Sequence, residues 1–577
     1  MILKALTLEN FKGIREPVRI KFAPLTLLFG PNSSGKSTVI KALQFANDIF
    51  DHPGVNLFDS RGTRNFDVGS FRETVNGHDL TKTIGLTFDI SLESSLPAPY
   101  YDPKSLLNRD LDELGSLFGE IPTEGISDRI KSASIGIRIR YDDSILAAYV
   151  SEFHVSLNEV RFGVIEYSAS NADAQVSFLN YAHPLLIAID PQYSSLGYKQ
   201  GGTAYNAWLK DLGLTVDMDR DELDGDDSHT ALESFVTLHN EAPWEDKPFP
   251  IRIRYLKAAI PSLTSRMSLA LEKRVVSRLK SDSDPGAVKY QIFSTLISEG
   301  FLAAAAALHD FLKNSVFLGP LREVPARHST HQRSMAQTTW SKGEAAWDIV
   351  MSADPEFILE VNSWLSQSDR LNSGYGVDLV RYRELPLDNP LMNVLLEEAG
   401  IELAVREDIL KQIPVYSRVI LRDRLSSVEL SLQDVGVGLS QLLPVVVAAL
   451  YDSPGFLTNE QLVSVEQPEL HLHPSLQVRL ADLFVAKAKD RNKLFLLETH
   501  SEHLMLRCLR RIRETAKGVL PEGIPAVTPA DIAVHFVEST ESGPRIRRIE
   551  IDEDGDFIDE WPGGFFEESY REKFAGR

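Results

Sequence analysis

The amino-acid sequence predicts an α/β fold, and three observations along the chain support this prediction. A short apolar run, PLTLLF, leads through a glycine-rich segment into a stretch with apolar residues at helical spacing, as in a strand–loop–helix unit. From about residue 83 to 190, short runs of alternating apolar and polar residues predict an antiparallel sheet. Between about residues 200 and 310, runs such as QIFSTLISEGFLAAAAALHDFLKN and SRMSLALEKRVVSRLK predict helices.

The glycine-rich segment fits the pattern Gly-x-x-x-x-Gly-Lys-Ser. Glycines are needed at its two ends because backbone N–H groups must curl around phosphate oxygens, which a Cβ atom would obstruct. The lysine of such a loop reaches the β- and γ-phosphates, the serine hydroxyl binds Mg²⁺, and the following helix presents its N-terminus to the anion. The predicted nucleotide-binding residues are Gly30, Pro31, Asn32, Ser33, Ser34, Gly35, Lys36, Ser37 and Thr38.

Composition narrows the class of protein. With 577 residues, 43% of them hydrophobic and 25% charged, the chain can bury a large core. Its single cysteine, Cys508, excludes an intramolecular disulfide and fits a reducing cytosol, so we expect a cytoplasmic protein. The apolar stretch VGVGLSQLLPVVVAALY contains Gly, Ser, Gln and Pro, so we expect a buried helix there and no membrane span.

The formal net charge of −22 argues against a protein that wraps nucleic acid over its whole surface, although a local basic groove stays open. The densest basic runs, LRCLRRIR at 506–513 and RIRYLK at 252–257, are interpreted as solvated faces of a helix and a strand. The acidic segment DMDRDELDGDDSH is interpreted as a solvated linker, because its spacing lacks the Gly and terminal Glu of a calcium loop.

Three further motifs follow late in the chain. The apolar run in LVSVEQPELHLHP ends at Glu466, where a carboxylate can hold the water shell of Mg²⁺ beside the glycine-rich loop. Upstream, Gly436, Gly438 and Ser440 precede an apolar helix whose N-terminus suits a second phosphate contact. Downstream, the apolar strand in KLFLLETHSEHL leads to His500.

The order of these motifs resembles the ABC-type ATPase cassette, most of all its SMC/RecF/overcoming-lysogenization-defect branch. FKGI, GPNSSGKST, EQPELHLHP, ETHSEHL, FLGPLRE and the tail DFIDEWPGGFFEE are typical of bacterial members, many of them encoded in anti-phage defence loci. The resemblance covers both ends of the chain, about half of its length, and the middle has no specific match.

The resemblance implies an ABC-type P-loop ATPase with a mixed central sheet, an antiparallel β subdomain and a helical insertion. It further implies that Ser440, Gln441 and the glycines beside them contact the γ-phosphate of ATP held by another subunit. Two chains would then close head to tail over two nucleotides, as a homodimer or a higher homo-oligomer. His500 would be the switch histidine that contacts the γ-phosphate, and Ser37 and Glu466 would hold Mg²⁺.

The predicted organisation has six parts, listed here in chain order. They are the N-terminal ATPase part (1–95), the antiparallel β-rich part (96–200), the helical insertion (201–310), a mixed connecting region (311–415), the C-terminal ATPase part with the signature, Glu466 and His500 (416–540), and a tail element (541–577).

One residue departs from the pattern of the family, which usually places a second carboxylate directly after the first. Here that residue is Gln467, whose amide can orient water but cannot accept a proton. General-base help is worth about 10²–10⁴-fold, so we expect slow hydrolysis and a nucleotide that serves mainly as a conformational switch. Alternatively, Glu466 or Glu469 takes over this role.

Two further groups of side chains, four histidines and two arginines, have alternative interpretations. His471, His473, His500 and His503 could be read as a metal cluster, but the HLH turn recurs in the resembled family and we do not expect zinc there. Arg322 and Arg327 could contact phosphates or nucleic acid, or form structural salt bridges.

The leading functional hypothesis is an ATP-dependent switch subunit that senses a nucleic-acid or phage signal and controls a separate effector. By analogy with Septu- or PARIS-like systems, the effector would be an HNH or TOPRIM nuclease encoded nearby. A built-in nuclease of the overcoming-lysogenization-defect kind is disfavoured by the short stretch after His500, despite the acids of IDEDGDF. A RecF-like DNA-repair ATPase and a transporter ATPase are the alternatives.

Overall fold

The computed structural model contains three sheets and the helices that cover them. The residues that it describes are 1–54, 57–58, 69–92, 96, 126–171, 173–180, 183–189, 251–270, 285–325, 340–388, 392, 411, 413, 415–424, 426, 428–453, 460–490, 493–541 and 543–562.

The described strands, in chain order, are β1 (Ile2–Glu9), β2 (Val18–Lys21), β3 (Leu25–Phe29), β4 (Ile84–Ser91), β5 (Ser132–Asp142), β6 (Ala147–Leu157), β7 (Val160–Glu166), β8 (Ala174–Leu179), β9 (Ile251–Ile253), β10 (Leu269–Ala270), β11 (Val316–Leu318), β12 (Tyr375–Arg383), β13 (Val415–Asp423), β14 (Glu429–Leu430), β15 (Gln461–Glu466), β16 (Lys493–Glu498), β17 (Ile532–Thr540) and β18 (Gly543–Ile549). The described α-helices are α1 (Lys36–Asp51), α2 (Phe71–Thr74), α3 (Pro184–Ile189), α4 (Pro285–Lys313), α5 (Glu344–Ser352), α6 (Pro355–Ser366), α7 (Val437–Leu450), α8 (Pro474–Asp490) and α9 (Glu502–Ala516). Short 3-10 turns lie at Asn76–His78, Ser127–Arg129 and Pro529–Asp531.

The central sheet has six strands in the order β11-β15-β16-β3-β17-β18. Its first five strands are parallel, and β18 pairs antiparallel with β17 at the edge. Parallel strands are covered on both faces, which explains why LTLLF and KLFLLE are buried at every position instead of alternating. The prediction of a mixed central sheet around the glycine-rich loop (residues 30–37) is confirmed.

The second sheet is antiparallel and has nine strands in the order β10-β9-β8-β7-β6-β5-β4-β1-β2. Several of its strands alternate between buried and partly exposed positions, as a sheet with one covered face requires. The antiparallel sheet predicted from the alternating runs is therefore confirmed. A third, three-stranded sheet, β12-β13-β14, carries α5 and α6 against it.

Helix α4 joins the two large sheets, because it packs against α1 and β15 as well as against β5, β6 and β7. The segment Ser294–Lys313 is long and apolar enough to cross a membrane, but 89% of it is buried inside this protein. The shorter apolar helix α7 is buried as predicted, despite Pro444 in its interior. Both are core helices.

One helix prediction was wrong in its described part. The run SRMSLALEKRVVSRLK was expected to be helical, but Leu269–Ala270 within it forms the edge strand β10 and pairs with β9. A two-residue edge strand has too few positions to show the alternation that identifies strands in a sequence. The helix predicted for QIFSTLISEGFLAAAAALHDFLKN is confirmed as α4. The six domain boundaries remain predictions.

Glu299 is an unusual member of the core. It lies on α4, is fully buried, and accepts a hydrogen bond from the Ile126 backbone N–H at 2.8 Å through Oε2. Its Oε1 and the Ser127 hydroxyl have no hydrogen-bond partner among the described residues. Burial raises the pKa of Glu299 to about 7, because the charged carboxylate loses its hydration there.

This carboxyl predicts a pH-dependent stability. The ordinary pKa is 4.5, so between pH 4.5 and 7 the unfolded chain releases the proton before the folded chain does, and the free energy of unfolding falls as pH rises. Each unit of pKa difference corresponds to about 1.4 kcal/mol. We expect Glu299→Gln to lose this dependence when denaturant unfolding is measured at pH 5 and at pH 8.

The matched control is Glu16→Gln, because the Glu16 side chain is 82% exposed. It should follow the wild-type pH profile. Parallel profiles for Glu299→Gln and wild type would contradict the assignment.

Candidate functional site

The carboxyl ends of four neighbouring parallel strands form one edge of the central sheet. Glu498, the last residue of β16, is the register partner of Glu466 on one side and of Leu28 on the other. The glycine-rich loop follows β3 directly, and the segment that contains Arg322 follows β11. Residues from widely separated parts of the sequence therefore meet at this edge, which is where open α/β sheets bind ligands.

The conformation of the glycine-rich loop requires its glycines. Gly30 has φ +146°, and a Cβ atom there would lie 2.1 Å from the Val537 carbonyl oxygen of β17. Gly35 has φ +103° and lies against Pro544 at the start of β18, which a Cβ atom would approach to 3.0 Å. The β17–β18 hairpin therefore holds the loop from one side, and only glycine fits both contacts.

Lys36 folds back onto its own loop. Its Nζ donates to the carbonyl oxygens of Gly30 at 3.0 Å and Pro31 at 2.8 Å, and the side chain is 3% exposed. Burial lowers the pKa of Lys36, because the ammonium group is desolvated. By contrast, residues 31–33 at the tip of the loop are exposed. The lysine is thus positioned beneath an open loop, where phosphate oxygens could replace the two carbonyl acceptors.

Glu498 lies beside Lys36 and Ser37, although the sequence analysis assigned it no role. Its Oε2 accepts a hydrogen bond from the Ser37 hydroxyl at 2.6 Å, and its Oε1 lies 3.9 Å from the Lys36 ammonium. A sequence signal was present, because Glu498 ends an apolar strand in the same way as Glu466 does. What the sequence does not contain is the register that places β16 directly beside β3.

Glu466 and Gln467 lie at the end of β15. Burial raises the pKa of Glu466, and the neighbouring Glu498 carboxylate raises it further. Gln467 adopts φ +47°, an uncommon conformation for a residue with a side chain, and its N–H donates to the Glu498 carbonyl at 2.7 Å. The strand thus ends in a turn that is tied to β16.

Glu469 positions the segment that contains His500. Its two carboxylate oxygens accept hydrogen bonds from the Thr499 hydroxyl at 2.8 Å and from the His500 N–H at 2.7 Å. Burial raises the pKa of Glu469. Burial lowers the pKa of His500, and the charge of Lys36 lowers it further, so the imidazole is neutral at pH 7.

The signature segment (residues 436–441) begins α7. Gly436 is the exposed N-cap residue, and Val437 is 57% exposed. Gly438 lies so close to the turn after β15 that a Cβ atom would be 2.7 Å from the His471 carbonyl oxygen. The Ser440 hydroxyl donates to the Val437 carbonyl at 2.9 Å. None of the described hydrogen bonds of this segment reaches the glycine-rich loop of the same chain.

Arg322 links the signature segment to β15. Its backbone N–H donates to Gln441 Oε1 at 3.2 Å, and Gln441 Nε2 donates to the Arg322 carbonyl at 2.7 Å. The guanidinium Nη2 donates to the carbonyls of Glu466 at 2.7 Å and Gln467 at 3.3 Å. Within the described residues, the buried Nε and Nη1 have no hydrogen-bond partner. Burial lowers the pKa of Arg322 to about 10.

The remaining candidates from the sequence are the histidine group, the basic run at 506–513 and Arg327. No group of three or more His, Cys, Asp or Glu side chains could hold a metal ion in the part of the chain that the structure describes. His473 contacts Ser475 within its own turn. Arg511 of the basic run is buried against Asp482, so that run is only partly a solvated face. Arg327 lies outside the described residues.

The C-terminal tail also reaches this part of the fold. The Trp561 ring packs edge-on against Phe29, the last residue of β3, with ring centroids 5.5 Å apart, and against Phe536 of β17 at 5.7 Å. The strand that leads into the glycine-rich loop is therefore supported by residues from the far end of the chain.

The link between Arg322 and Gln441 predicts a specific loss of stability. In Gln441→Leu, the Arg322 backbone N–H and carbonyl are left buried without partners, so the free energy of unfolding should fall by about 1–3 kcal/mol. Gln433→Leu is the matched control, because exposed Gln433 also bonds the backbone of this connecting segment, at Pro325. Denaturant unfolding should show a change within about 0.5 kcal/mol for the control. Equal losses in both variants would contradict a buried link.

Comparisons with protein families agree with this geometry. A family model described as "AAA domain, putative AbiEii toxin, Type IV TA system" matches residues 209–506, more than half of the chain. A model described as "AAA ATPase domain" matches residues 1–154, and one described as "Protein of unknown function (DUF3696)" matches residues 527–575. The first two matches include the signature segment and Glu466 in one case and the glycine-rich loop in the other, and they confirm the predicted P-loop ATPase fold.

No curated protein matches the sequence. Among solved structures, similar chains include the SMC head domain from Thermotoga maritima, with 11% identity, a TM-score of 0.33, and coverage of 96% of this chain and 100% of that one. The Smc head domain bound to the C-terminal domain of ScpA, derived from Pyrococcus furiosus, has 12% identity, a TM-score of 0.34, and coverage of 95% and 96%. Values this low add nothing to the assignment made by the family models.

Proposed function

Because this chain belongs to the AAA domain family whose model matches residues 209–506, we propose that it is an ATP-binding, slowly hydrolysing switch subunit that dimerises around ATP. One observation carries the proposal. Lys36 is buried beneath the open glycine-rich loop, and Ser37 beside it contacts a carboxylate from the neighbouring strand. This combination of groups suits the phosphates and the Mg²⁺ of a bound nucleotide.

Each residue at the sheet edge then has a role. Backbone N–H groups of the glycine-rich loop and Lys36 bind the phosphates, and Ser37 and Glu466 hold Mg²⁺, which neutralises charge on the transferred phosphoryl group when it is bound. Magnesium sites of this kind use one or two carboxylates and substrate oxygens. They therefore do not require a group of three or more His, Cys, Asp or Glu side chains. Neutral His500, held by Glu469, can hydrogen-bond a γ-phosphate oxygen or water.

Slow hydrolysis follows from Gln467. A carboxylate at this position could accept a proton from the attacking water, and general-base help of this kind is worth about 10²–10⁴-fold. We expect Gln467→Glu to hydrolyse ATP at least tenfold faster than wild type in a steady-state phosphate-release assay. The control is Gln477→Glu, in helix α8 between β15 and β16, which should not accelerate turnover. Unchanged or lower turnover in Gln467→Glu would count against the hypothesis.

Dimerisation is supported by the position of the signature segment. Its first residues, Gly436 and Val437, are exposed, whereas Ser440 is 4% exposed. Its described hydrogen bonds do not reach the glycine-rich loop of the same chain, so the exposed start of the segment is available to a nucleotide held by a second copy. The helix N-terminus there favours an anion.

The test is sedimentation with a non-hydrolysable ATP analogue and Mg²⁺. Wild type should shift from monomer to dimer. Ser440→Arg should bind the analogue with wild-type affinity yet remain monomeric, because the large cation would block the approach of the second copy. A wild-type protein that stays monomeric at saturating analogue would refute ATP-dependent dimerisation.

In cells, we propose that the switch controls a separate effector, such as an HNH or TOPRIM nuclease, in anti-phage defence. The family description that names a toxin and a type IV TA system is compatible with this role. Co-expression of the chain with its neighbouring genes tests the proposal. Protection against phage should require both the chain and its partner, and it should be lost in Lys36→Ala.

A further inference from the structure

Gln467 leaves the proposed ATPase site without the second carboxylate that usually follows the first. The structure supplies a carboxylate at this place from another strand. Glu498 and Glu466 are register partners at the ends of β16 and β15, so their side chains project from the same face of the sheet. Two carboxylates are therefore adjacent across the sheet instead of adjacent along the chain.

Like charges directly opposite each other destabilise a sheet. The two carboxylates stand at register partners on neighbouring strands, and Glu498 is only 8% exposed. Lys36, which lies 3.9 Å from Glu498, is the cation that an incoming phosphate would engage. Once Lys36 turns to phosphate, Glu498 loses the cation that lies 3.9 Å from it, and a metal ion would replace that charge.

The hydrogen bond between Glu498 and Ser37 indicates where that charge would lie. At 2.6 Å it is a short, charge-assisted hydrogen bond. Ser37 is the hydroxyl that the motif assigns to Mg²⁺, so Glu498 contacts the metal side of the site directly. The conformation of the strand end is fixed independently, because the Glu498 carbonyl accepts the Gln467 N–H at 2.7 Å.

We propose that Glu498 is the second carboxylate of the site and that it acts toward Mg²⁺ together with Ser37. This inference rests on the proposed nucleotide site and extends it to Glu498, the first residue of ETHSEHL, to which the sequence analysis assigned no role. Glu466 lies opposite Glu498 in the strand register and is followed directly by Gln467. If Glu498 instead only anchors the glycine-rich loop through Ser37, its replacement should weaken nucleotide binding equally with and without metal.

The test measures the affinity for a fluorescent ATP analogue as a function of Mg²⁺ concentration, and again in EDTA. Glu498→Gln is almost isosteric and can still accept the Ser37 hydrogen bond. We expect the Mg²⁺ concentration at half-maximal binding to rise at least tenfold in this variant. In EDTA its affinity should equal or exceed that of wild type, because a negative charge has been removed from beside Lys36.

Glu152→Gln is the control, because Glu152 is a partly buried strand carboxylate of the antiparallel sheet whose Oε1 lies 3.2 Å from His154 Nδ1. It should match wild type in both measurements. An unchanged Mg²⁺ requirement in Glu498→Gln, or an equal loss of affinity with and without Mg²⁺, would overturn the inference and leave the proposed function intact. A wild-type chain that binds no nucleotide in either condition would overturn both.

Discussion

The site depends on a buried ammonium group. Lys36 cannot reach bulk water, so its charge is compensated by two carbonyls of its own loop and by a carboxylate from the adjacent strand. That compensation requires β16 beside β3 in a fixed register, which in turn requires the fully apolar strands of the central sheet. The apolar core of the central sheet therefore also stabilises the buried ammonium group of Lys36 at the carboxyl ends of its strands.

The same end of the sheet connects β15 to the first turns of α7. Arg322 bonds the backbone at the end of β15 and also the Gln441 side chain in the first turns of α7. A displacement of either element would leave buried polar groups unpaired, so the two are expected to move as one unit. In the same way, the His500 N–H donates to Glu469 in the turn that follows β15, so a displacement of this turn would also displace His500.

The sequence was sufficient to predict features that depend only on residues within one short segment. The glycine-rich loop, the helix after it and the strand ending at Glu466 are defined by residues within one short segment, and all are present in the structure. Glu498 and the role of Arg322 could not be predicted, because their partners come from strand register and tertiary packing. Ser37 and Glu498 are 461 positions apart in the chain, and nothing near either residue specifies their contact. The helix prediction for SRMSLALEKRVVSRLK was wrong for a related reason: Leu269–Ala270 pairs with β9, and this partner strand overrode the helical pattern.

The packing of the β17–β18 hairpin on the glycine-rich loop has a consequence for biosynthesis. Gly30 lies against the Val537 carbonyl and Gly35 against Pro544, so the loop acquires these neighbours only after the whole intervening stretch of chain has been translated. Contacts over such separations form late, because closing long loops costs entropy first. A nascent chain would thus lack a finished nucleotide pocket until β17 and β18 have been synthesised.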